Sequence, residues 1–531
     1  MKHPPQDSHR PLIFGREGMV ASGHPLASWI AATVLRDGGN AIDAMVAAGA
    51  AMGVLRPQMS GLGGDALTLI YLGQERRLVA LEGIGTAPCS SLAFFRSKGM
   101  AQVPEHGILA ATVPGAVKAW AAALERYGTR PLSTLLAPAI ALAEEGFPVS
   151  KKLATDIADH TSLLATSPHS RAILLPKGSP LRYGERLTQK DLAQSLKILA
   201  QGGEGAFYQG EIAAAVGEFC KGHGGLLSRE DFAAYEVRWV EPIRGTYRGY
   251  EIYNFPPPSQ GIALLMVLHM LEGFDPHEFS WVDWLHLQIE AKKLAFADRD
   301  QFVGDPDRMK LPVEQLLSPQ YAASRLALID LKRASRRVQP GDPWLFGGET
   351  TYLAVADREG NLVSHLQSVF TNFGSGVVAG RTGMLLNNRL SAFSLEAGVN
   401  QLEPGRRPLH TLNPVLLFKG GQPFLAFGTP GAHGQVQILL QALSYLLDYS
   451  FGLQEAIEAP RWRHEPGKGL LVEERIPPAI RRILGRRGHR ILLRPAWAQE
   501  MGGAQGILVD PETGFYLGAA DPRREGYAIG W

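Results

Sequence analysis

A change of character past the middle of the chain constrains its fold more than any other feature. Residues 332–348 are polar, basic and interrupted by Pro and Gly, which is typical of an exposed loop that tolerates a cut. Directly afterwards, residues 351–356 alternate between two faces, 357–361 form a turn sequence, and 362–370 read as a second strand. The pattern predicts a β-hairpin that begins at Thr350.

The part of the chain before this loop is mainly helical by its apolar spacing. A helix from Pro25 stops at 38–40, and an Ala- and Gly-rich helix over 41–54 follows, close-packed against its neighbours. The glycine-rich turn 60–65 then leads into a predicted strand over 66–71. Because this turn follows a helix and precedes a strand, the order is the reverse of a phosphate-binding loop, so we expect no nucleotide there. Further helices are predicted over 115–127, 135–145, 187–200 and 281–299, and a strand over 250–254.

Composition indicates a large globular protein, with 45% hydrophobic and 20% charged residues among 531. A net charge of +2 argues against nucleic acid as a partner. The only basic cluster, residues 481–490, has helical spacing and is interpreted as a solvated helix face rather than an anion site.

Compartment and cofactors follow from what the sequence lacks. Cys89 and Cys220 are the only cysteines, which gives neither a disulfide framework nor a metal-site spacing. With no signal-like segment and no membrane-length apolar run, we expect a cytoplasmic protein without a membrane partner. We also expect no metal and no cofactor, because the histidines show no metal-binding spacing; these are His24, His106, His286, His365, His410 and His433.

Thr350 would become reactive only at a newly formed N-terminus. A threonine hydroxyl is a weak nucleophile, but an N-terminal threonine carries its own base, an α-amine with a pKa of about 7.7–8.0. A cut between Glu349 and Thr350 would create that pair. Spacing alone favours the other interpretation, that Thr350 is an ordinary residue at the start of a strand.

The chain resembles the γ-glutamyltransferases along nearly its whole length. Sequence blocks with this resemblance are found at 18–22, 38–44, 60–65, 113–116, 256–259, 350–352, 373–376, 385–388 and 428–431. The resemblance implies an α+β fold, a four-layer αββα sandwich of the N-terminal-nucleophile hydrolases. It also implies a precursor that cuts itself into a large chain, 1–349, and a small chain, 350–531, which together form one interleaved body.

The resemblance assigns roles to four residues. Thr350 would be the nucleophile both in self-cleavage and in catalysis, and Ser368 stands where the family has a threonine that supports it. The backbone N–H groups of Gly431 and Ala432 would stabilise the oxyanion. Since alanine tolerates positive φ poorly, Ala432 makes the geometry of this loop a point to test.

Substrate-binding positions depart from the family pattern. Ile84, Phe370 and Ala392 stand where the family has an arginine, an asparagine and an aspartate that bind the glutamyl group. A buried polar group left without a partner costs about 1–3 kcal/mol, so a different acyl group is expected. Phe370 favours a short one. Thr411 is also a candidate substrate-binding residue, because His410-Thr411 stands where the family has a pair of serines. An anion could be held by a second set of residues, which comprises Arg406, Arg407, His410 and His433.

Gln367-Ser368 ahead of Phe370, with the run 407–411, resembles the family branch that includes oxamate amidohydrolases, glutathione-hydrolase-like proteins and some cephalosporin acylases. Hydrolysis of oxamate to oxalate and ammonia is the preferred hypothesis. The alternatives are a γ-glutamyl hydrolase or transferase, a cephalosporin-type acylase, and an uncleaved, inactive family member with a binding role. Expected partners are a small amide and the two chains of one precursor, and the residues leave homo-oligomer formation open.

Overall fold

The computed structural model describes residues 3–335, 338, 350–467 and 469–531. Its strands are β1 (Ile13–Gly15), β2 (Met19–Ser22), β3 (Asp65–Leu72), β4 (Arg77–Gly83), β5 (Phe147–Pro148), β6 (Arg186–Leu187), β7 (Arg238–Val240), β8 (Ile243–Tyr247), β9 (Tyr250–Asn254), β10 (Thr351–Ala356), β11 (Leu362–Ser368), β12 (Val415–Lys419), β13 (Gln422–Gly428), β14 (Trp462–Glu465), β15 (Gly469–Glu473), β16 (Ile491–Arg494), β17 (Gln505–Val509), β18 (Tyr516–Ala520) and β19 (Tyr527–Gly530).

The helices of the same residues are α1 (Pro25–Arg36), α2 (Ala41–Leu55), α3 (Ser91–Ser97), α4 (Ala116–Tyr127), α5 (Leu132–Glu145), α6 (Lys151–Asp159), α7 (Thr161–Leu164), α8 (Pro168–Leu174), α9 (Lys190–Tyr208), α10 (Glu211–His223), α11 (Arg229–Ala233), α12 (Gly261–Glu272), α13 (Trp281–Phe302), α14 (Val313–Leu316), α15 (Pro319–Leu326), α16 (Gly434–Leu447), α17 (Leu453–Glu458) and α18 (Pro478–Arg486). None of these helices is long and apolar enough to cross a bilayer.

Two antiparallel sheets form the centre of the molecule. Over the described residues, one has the strand order β19-β2-β10-β11-β3-β4-β7 and the other β1-β18-β17-β13-β12-β9-β8. The faces that meet bury an apolar layer that includes Met19, Leu69, Tyr352, Leu416 and Ile507. Each sheet contains strands from both sides of Thr350, so the segments before and after it share both sheets.

Helices cover the two outer faces. Leu353 and Val355 of β10 point away from the second sheet and pack in one core with α1, α2, α4, α5 and α9. A separate core joins the other sheet to α12, α13 and α16. The result is the predicted four-layer αββα sandwich. Strand alternation explains it, because residues one apart in β10 serve opposite cores.

Small residues allow the close contacts around the first sheet. Every residue of α2 is buried, and a Cβ on its Gly53 would lie 2.9 Å from the Cα of Gly61. In the turn before β3, a Cβ on Gly64 would lie 2.5 Å from the carbonyl oxygen of Ser368. The glycine-rich turn therefore lets the end of β11 approach closely.

The hairpin predicted after the loop forms as β10 and β11, with Thr351 opposite Gln367. Residues 332–335 and 338 of the predicted loop are described; the rest of the loop, and Glu349 after it, lie outside the described residues. In α18, Ile480 and Leu484 are buried while Arg482 and Arg486 are exposed, in agreement with a solvated basic face.

Candidate active site

Thr350 lies at the junction of three elements. It directly precedes β10 and is only 1% exposed. The antiparallel register places it next to Ser368 at the end of β11, and its Oγ1 lies 3.4 Å from the Ser368 Oγ. The side chain of Gln435, in the first turn of α16, donates from Nε2 to the same Oγ1 at 3.3 Å. The hydroxyl is therefore fixed by one group from the hairpin and one from a helix of the opposite layer.

Ser368 links Thr350 to the residues that follow the hairpin. Its Oγ accepts a hydrogen bond from the backbone N–H of Phe370 at 2.8 Å. This contact turns the chain sharply, and Phe370 adopts φ +86°, which is unusual for a bulky residue. Such strain is maintained only where the surroundings determine the conformation, and here the Ser368 hydroxyl contributes to it.

Gly431 and Ala432 form a left-handed turn before α16. Their φ values are +136° and +46°, so Ala432 adopts the conformation that its side chain disfavours, at a cost of about 1–2 kcal/mol. Within the described residues, neither backbone N–H has a backbone acceptor. Two N–H groups that have no backbone acceptor among the described residues, just before the N-terminus of a 14-residue helix, are suited to stabilising negative charge.

A cleft of about 350 Å³ opens beside this hairpin. Of the predicted substrate-binding residues, Phe370, Thr411 and His433 line it, together with Ala392. His433 Nδ1 lies 3.1 Å from Nη1 of Arg299, another residue of the cleft wall. Burial and then the positive charge of Arg299 hold the pKa of His433 well below its usual value, so its imidazole is neutral and accepts from the guanidinium.

His410 does not line this cleft. Its Nδ1 accepts from the N–H of Leu412 at 3.3 Å, so the proton is on Nε2, which donates to Oδ2 of Asp65 at 3.0 Å. Burial and the nearby Arg389 lower the pKa of His410 to about 4. Both ring nitrogens are engaged in a neutral ring, which leaves neither for the anion that the sequence assigned to it.

The other positions considered from the sequence also have protein partners. Arg407 is buried with its Nε 3.1 Å from Oε1 of Glu82, and Arg406 pairs with Asp307 at 2.5 Å. Ile84 lies in the apolar layer between the sheets. A basic side chain at position 84 would have to enter this layer.

Arg389 is a functional candidate that the sequence analysis did not single out. It follows Asn387, whose side chain accepts from the Arg389 N–H at 2.9 Å, and it is fully buried. The centre of its guanidinium lies 3.9 Å from the Phe370 ring. The signal in the sequence is a charged residue directly after the Leu385–Asn388 block, whereas the sequence pattern favours 406–411 for anion binding. Gln435 had no signal beyond its place in the first turn of a helix.

A cluster of possible metal ligands joins α13 to the segment after α18. Ligand atoms of His286, Glu290 and His489 all lie within 4.8 Å of one another, an arrangement that the search for histidine spacings missed. The cluster is already hydrogen-bonded: His286 contacts His489 at 2.8 Å, and Glu290 accepts from Lys293 and from the N–H of Ser335. These bonds connect α13 to the segment that precedes the predicted cut.

Comparison with known proteins identifies the family. The family model for gamma-glutamyltranspeptidase matches residues 27–531. The Acylase ACY 1 proenzyme of Pseudomonas sp. (strain SE83) is 40% identical over 97% of this chain and 94% of its own. The oxamate amidohydrolase proenzyme of Klebsiella pneumoniae subsp. pneumoniae is 34% identical over 97% of this chain and 98% of its own.

The structure of a cephalosporin acylase from Bacillus halodurans superposes with a TM-score of 0.93 at 39% identity, covering 100% of this chain and 99% of that one. Matches of this extent include both sheets, both helical layers and the hairpin that carries Thr350. The chain therefore belongs to the γ-glutamyltranspeptidase family and is an enzyme with the N-terminal-nucleophile hydrolase fold.

Proposed function

We propose that the protein is a precursor that cuts itself between Glu349 and Thr350, and that Thr350 then hydrolyses a small amide whose acyl part carries a carboxylate. The observation that carries this proposal is the setting of the Thr350 hydroxyl, which is buried between Ser368 and Gln435 at the start of β10. Oxamate is the simplest substrate of this class.

In the precursor, the Thr350 hydroxyl would attack the carbonyl carbon of Glu349. The C–N bond breaks as the C–O bond forms, the proton passes to the nitrogen, and water then hydrolyses the resulting ester. This frees the α-amine of Thr350. At neutral pH about a tenth or more of that amine is unprotonated, which is enough to act as the general base in later turnovers.

In the mature enzyme, the hydroxyl would attack the substrate amide. The amine takes up the hydroxyl proton and delivers it to the leaving nitrogen, so that oxamate would release ammonia and leave an oxalyl ester on Thr350. Water then gives oxalate and regenerates the threonine. The N–H groups of Gly431 and Ala432 are the donors proposed for the oxyanion, where each such bond is worth about 3–4 kcal/mol.

The residues around the cleft favour a non-glutamyl substrate. A γ-glutamyl group would need partners for its α-carboxylate and α-amine, yet Ile84 lies within the apolar layer and Ala392 lines the cleft without a polar side chain. The likeness to an oxamate amidohydrolase proenzyme supports a short acyl group.

Self-cleavage is tested by denaturing electrophoresis and N-terminal sequencing of the purified protein. Wild-type protein should give two bands, with the smaller chain beginning at Thr350, whereas Thr350→Ala should remain one full-length band. Thr351→Val is the matched control, because within the described residues the buried Thr351 Oγ1 has no hydrogen-bond partner. Normal cleavage of Thr350→Ala would refute the assignment.

The substrate class is tested with processed enzyme. Ammonia release from oxamate should exceed turnover of γ-glutamyl-p-nitroanilide, because the glutamyl contacts are missing. The reverse order would identify a γ-glutamyl hydrolase or transferase instead.

A cephalosporin-type acylase is the second candidate, and the size of the cleft favours it. A cleft of about 350 Å³ is within the range of pockets that bind drug-sized ligands, and an acylase proenzyme is 40% identical. The test substrate is a cephalosporin whose side chain is the monoamide of a dicarboxylic acid. If the enzyme releases the β-lactam nucleus from it with a higher kcat/KM than it releases ammonia from oxamate, this candidate is established.

A further inference from the structure

Arg389 is a buried cation whose hydrogen-bonding capacity is largely unused. Its side chain is 0% exposed. Nη1 donates to the Thr411 Oγ1 at 3.3 Å, and Nε lies 3.4 Å from Oδ2 of Asp65. Within the described residues, Nε and Nη2 make no hydrogen bond. A guanidinium has five N–H donors, so most of them lack an acceptor.

Among the described residues, the carboxylate paired with Arg389 is that of Asp65, and it is shared with other donors. Oδ2 of Asp65 accepts from His410 at 3.0 Å, and its Oδ1 accepts from the N–H of Gly85 at 2.9 Å. Asp65 neutralises the charge of Arg389 without saturating its donors. Burial therefore dominates and lowers the pKa of Arg389 to about 10.

The unused donors lie directly behind residues that line the cleft. Phe370, whose ring covers one face of the guanidinium, follows Ser368 by two residues, and its N–H donates to the Ser368 Oγ. Phe370 and Thr411 both line the cleft. Arg389 is thus one side chain behind the cleft wall, at the level of the hairpin that carries Thr350.

We propose that Arg389 binds the carboxylate of the acyl group, so that the substrates are short monoamides of dicarboxylic acids. This inference rests on the proposed function. A planar guanidinium can bind a carboxylate through two parallel N–H···O bonds, and a bound carboxylate would supply the acceptors that Nη2 lacks. Because Arg389 is 0% exposed and does not line the cleft, the Phe370 ring that covers it must turn aside to admit the carboxylate, and the same ring limits the length of the acyl group that fits.

The test uses processed wild-type enzyme and pairs of substrates that differ only in charge. Oxamate is compared with oxamide, and succinamate with succinamide, by kcat/KM for ammonia release. In the pair that is hydrolysed faster, we expect kcat/KM for the anionic member to exceed that for the neutral member by at least about 100-fold. Wild-type enzyme that processes itself but shows no such preference overturns the subsite while leaving self-cleavage intact.

Variants assign the preference to a residue. Arg389→Gln should still cleave itself, but the anionic-to-neutral ratio should fall to within about threefold of unity, and Arg389→Lys should give an intermediate ratio. Arg407→Gln tests the arginine favoured by the sequence. A ratio that falls in Arg407→Gln and persists in Arg389→Gln would overturn the proposal.

A second measurement covers the case in which Arg389→Gln does not fold. Thr411→Val removes the one hydroxyl that accepts from Arg389 and should lower the ratio by about threefold to tenfold. Inhibition of wild-type enzyme by oxalate or succinate, but not by oxamide, is expected from the same contact. Absence of both effects would contradict the subsite, whereas failure of wild-type protein to process itself would contradict the proposed function.

Discussion

Two buried arginines of this protein differ in how their donors are used. Nε, Nη1 and Nη2 of Arg523 all have partners, with bonds to Glu473 at 2.9 Å and to Asp521 at 3.2 Å. Its guanidinium also donates to three backbone carbonyls, those of Ile457, Glu458 and Ala459. Arg389, equally buried, has one hydrogen-bond acceptor in the described part of the chain.

The pKa directions of the two groups follow this difference. Burial acts against the charge of both, but Asp521 and Glu473 outweigh it and raise the pKa of Arg523, whereas Asp65 leaves the pKa of Arg389 lowered to about 10. A saturated guanidinium ties elements together. An unsaturated guanidinium keeps binding capacity that folding alone does not use. The same holds for Oε1 of Gln435 beside Thr350, which has no hydrogen-bond partner in the described part of the chain.

Arg523→Met should produce the largest loss of stability. It leaves Asp521 and Glu473 buried with one less cation, and breaking a buried ion pair costs about 3–5 kcal/mol. The measurement is the free energy of unfolding of the processed enzyme in denaturant. Arg182→Met is the control, since the Arg182 side chain is 84% exposed in its pair with Glu185 and such pairs contribute less than about 1 kcal/mol. Equal losses would remove the distinction between buried and exposed pairs.

The surroundings of the two arginines should also differ in the pH range over which acid lowers their contribution to the free energy of unfolding. The folded pKa of His410 is about 4, below its unfolded value of 6.5, so the unfolded chain takes up the proton first. Its contribution is complete above about pH 6.5 and decreases by about 1.4 kcal/mol per unit down to about pH 4. Burial tends to raise the pKa of Asp521 and Glu473, but the arginines hold both below their usual values. Their contribution is therefore lost only below about pH 4.5.

The measurement is the denaturant midpoint of processed enzyme between pH 7 and 4, compared with that of His410→Gln. The free energy of unfolding of His410→Gln should fall less steeply with decreasing pH than that of wild type, even if the variant is less stable throughout. The difference in slope should correspond to the uptake of about one proton. His223→Gln, at an exposed histidine, should retain the wild-type slope. Parallel curves for wild type and His410→Gln would show that His410 is not held neutral.

Arg389→Met should lower the free energy of unfolding by less than Arg523→Met does, although it leaves Asp65 buried without its cation. Few hydrogen bonds are lost, the costly burial of an unsaturated cation is relieved, and Asp65 keeps the donors His410 and Gly85. The free energies of unfolding of the two variants are compared under identical conditions. A loss equal to that of Arg523→Met would show that Arg389 is structural in spite of its unused donors.

The elements of the fold were predictable because their periodicities are local. The hairpin at Thr350 followed from alternation along β10, and the strand Tyr250–Asn254 from its apolar pattern. Helix ends were less accurate: residues 187–200 were predicted as a helix, and the observed one is Lys190–Tyr208 with a break at Gly203. A glycine at positive φ can continue a helical segment through a kink, which apolar spacing does not record.

The surroundings of Thr350 were less predictable because they depend on contacts distant in sequence. Nothing local indicates that His410 pairs with Asp65, 345 residues away, or that Gln435 reaches Thr350. The departures at Ile84, Phe370 and Ala392 were visible in the sequence, but the placement of a cation behind Phe370 was not.

The smallest expected effect concerns Ala432, where the unused N–H groups depend on a strained backbone. At φ +46° alanine costs about 1–2 kcal/mol relative to a right-handed residue, and glycine removes this cost. Glycine also gives the unfolded chain more conformational entropy, which lowers the free energy of unfolding by about 0.4–1 kcal/mol. Ala432→Gly should therefore raise the free energy of unfolding by about 0.5 kcal/mol. Since the N–H groups keep their direction, self-cleavage should proceed at a rate within about threefold of wild type, measured by the time course of the two bands. Ala432→Val adds a β-branched side chain at the same φ. It should lower the free energy of unfolding and slow self-cleavage by more than about threefold. If the glycine variant were less stable than wild type, the left-handed turn would not be a site of strain. The proposed oxyanion donors would then owe their direction to Gln260, whose Nε2 donates a hydrogen bond to the Ala432 carbonyl at 2.9 Å.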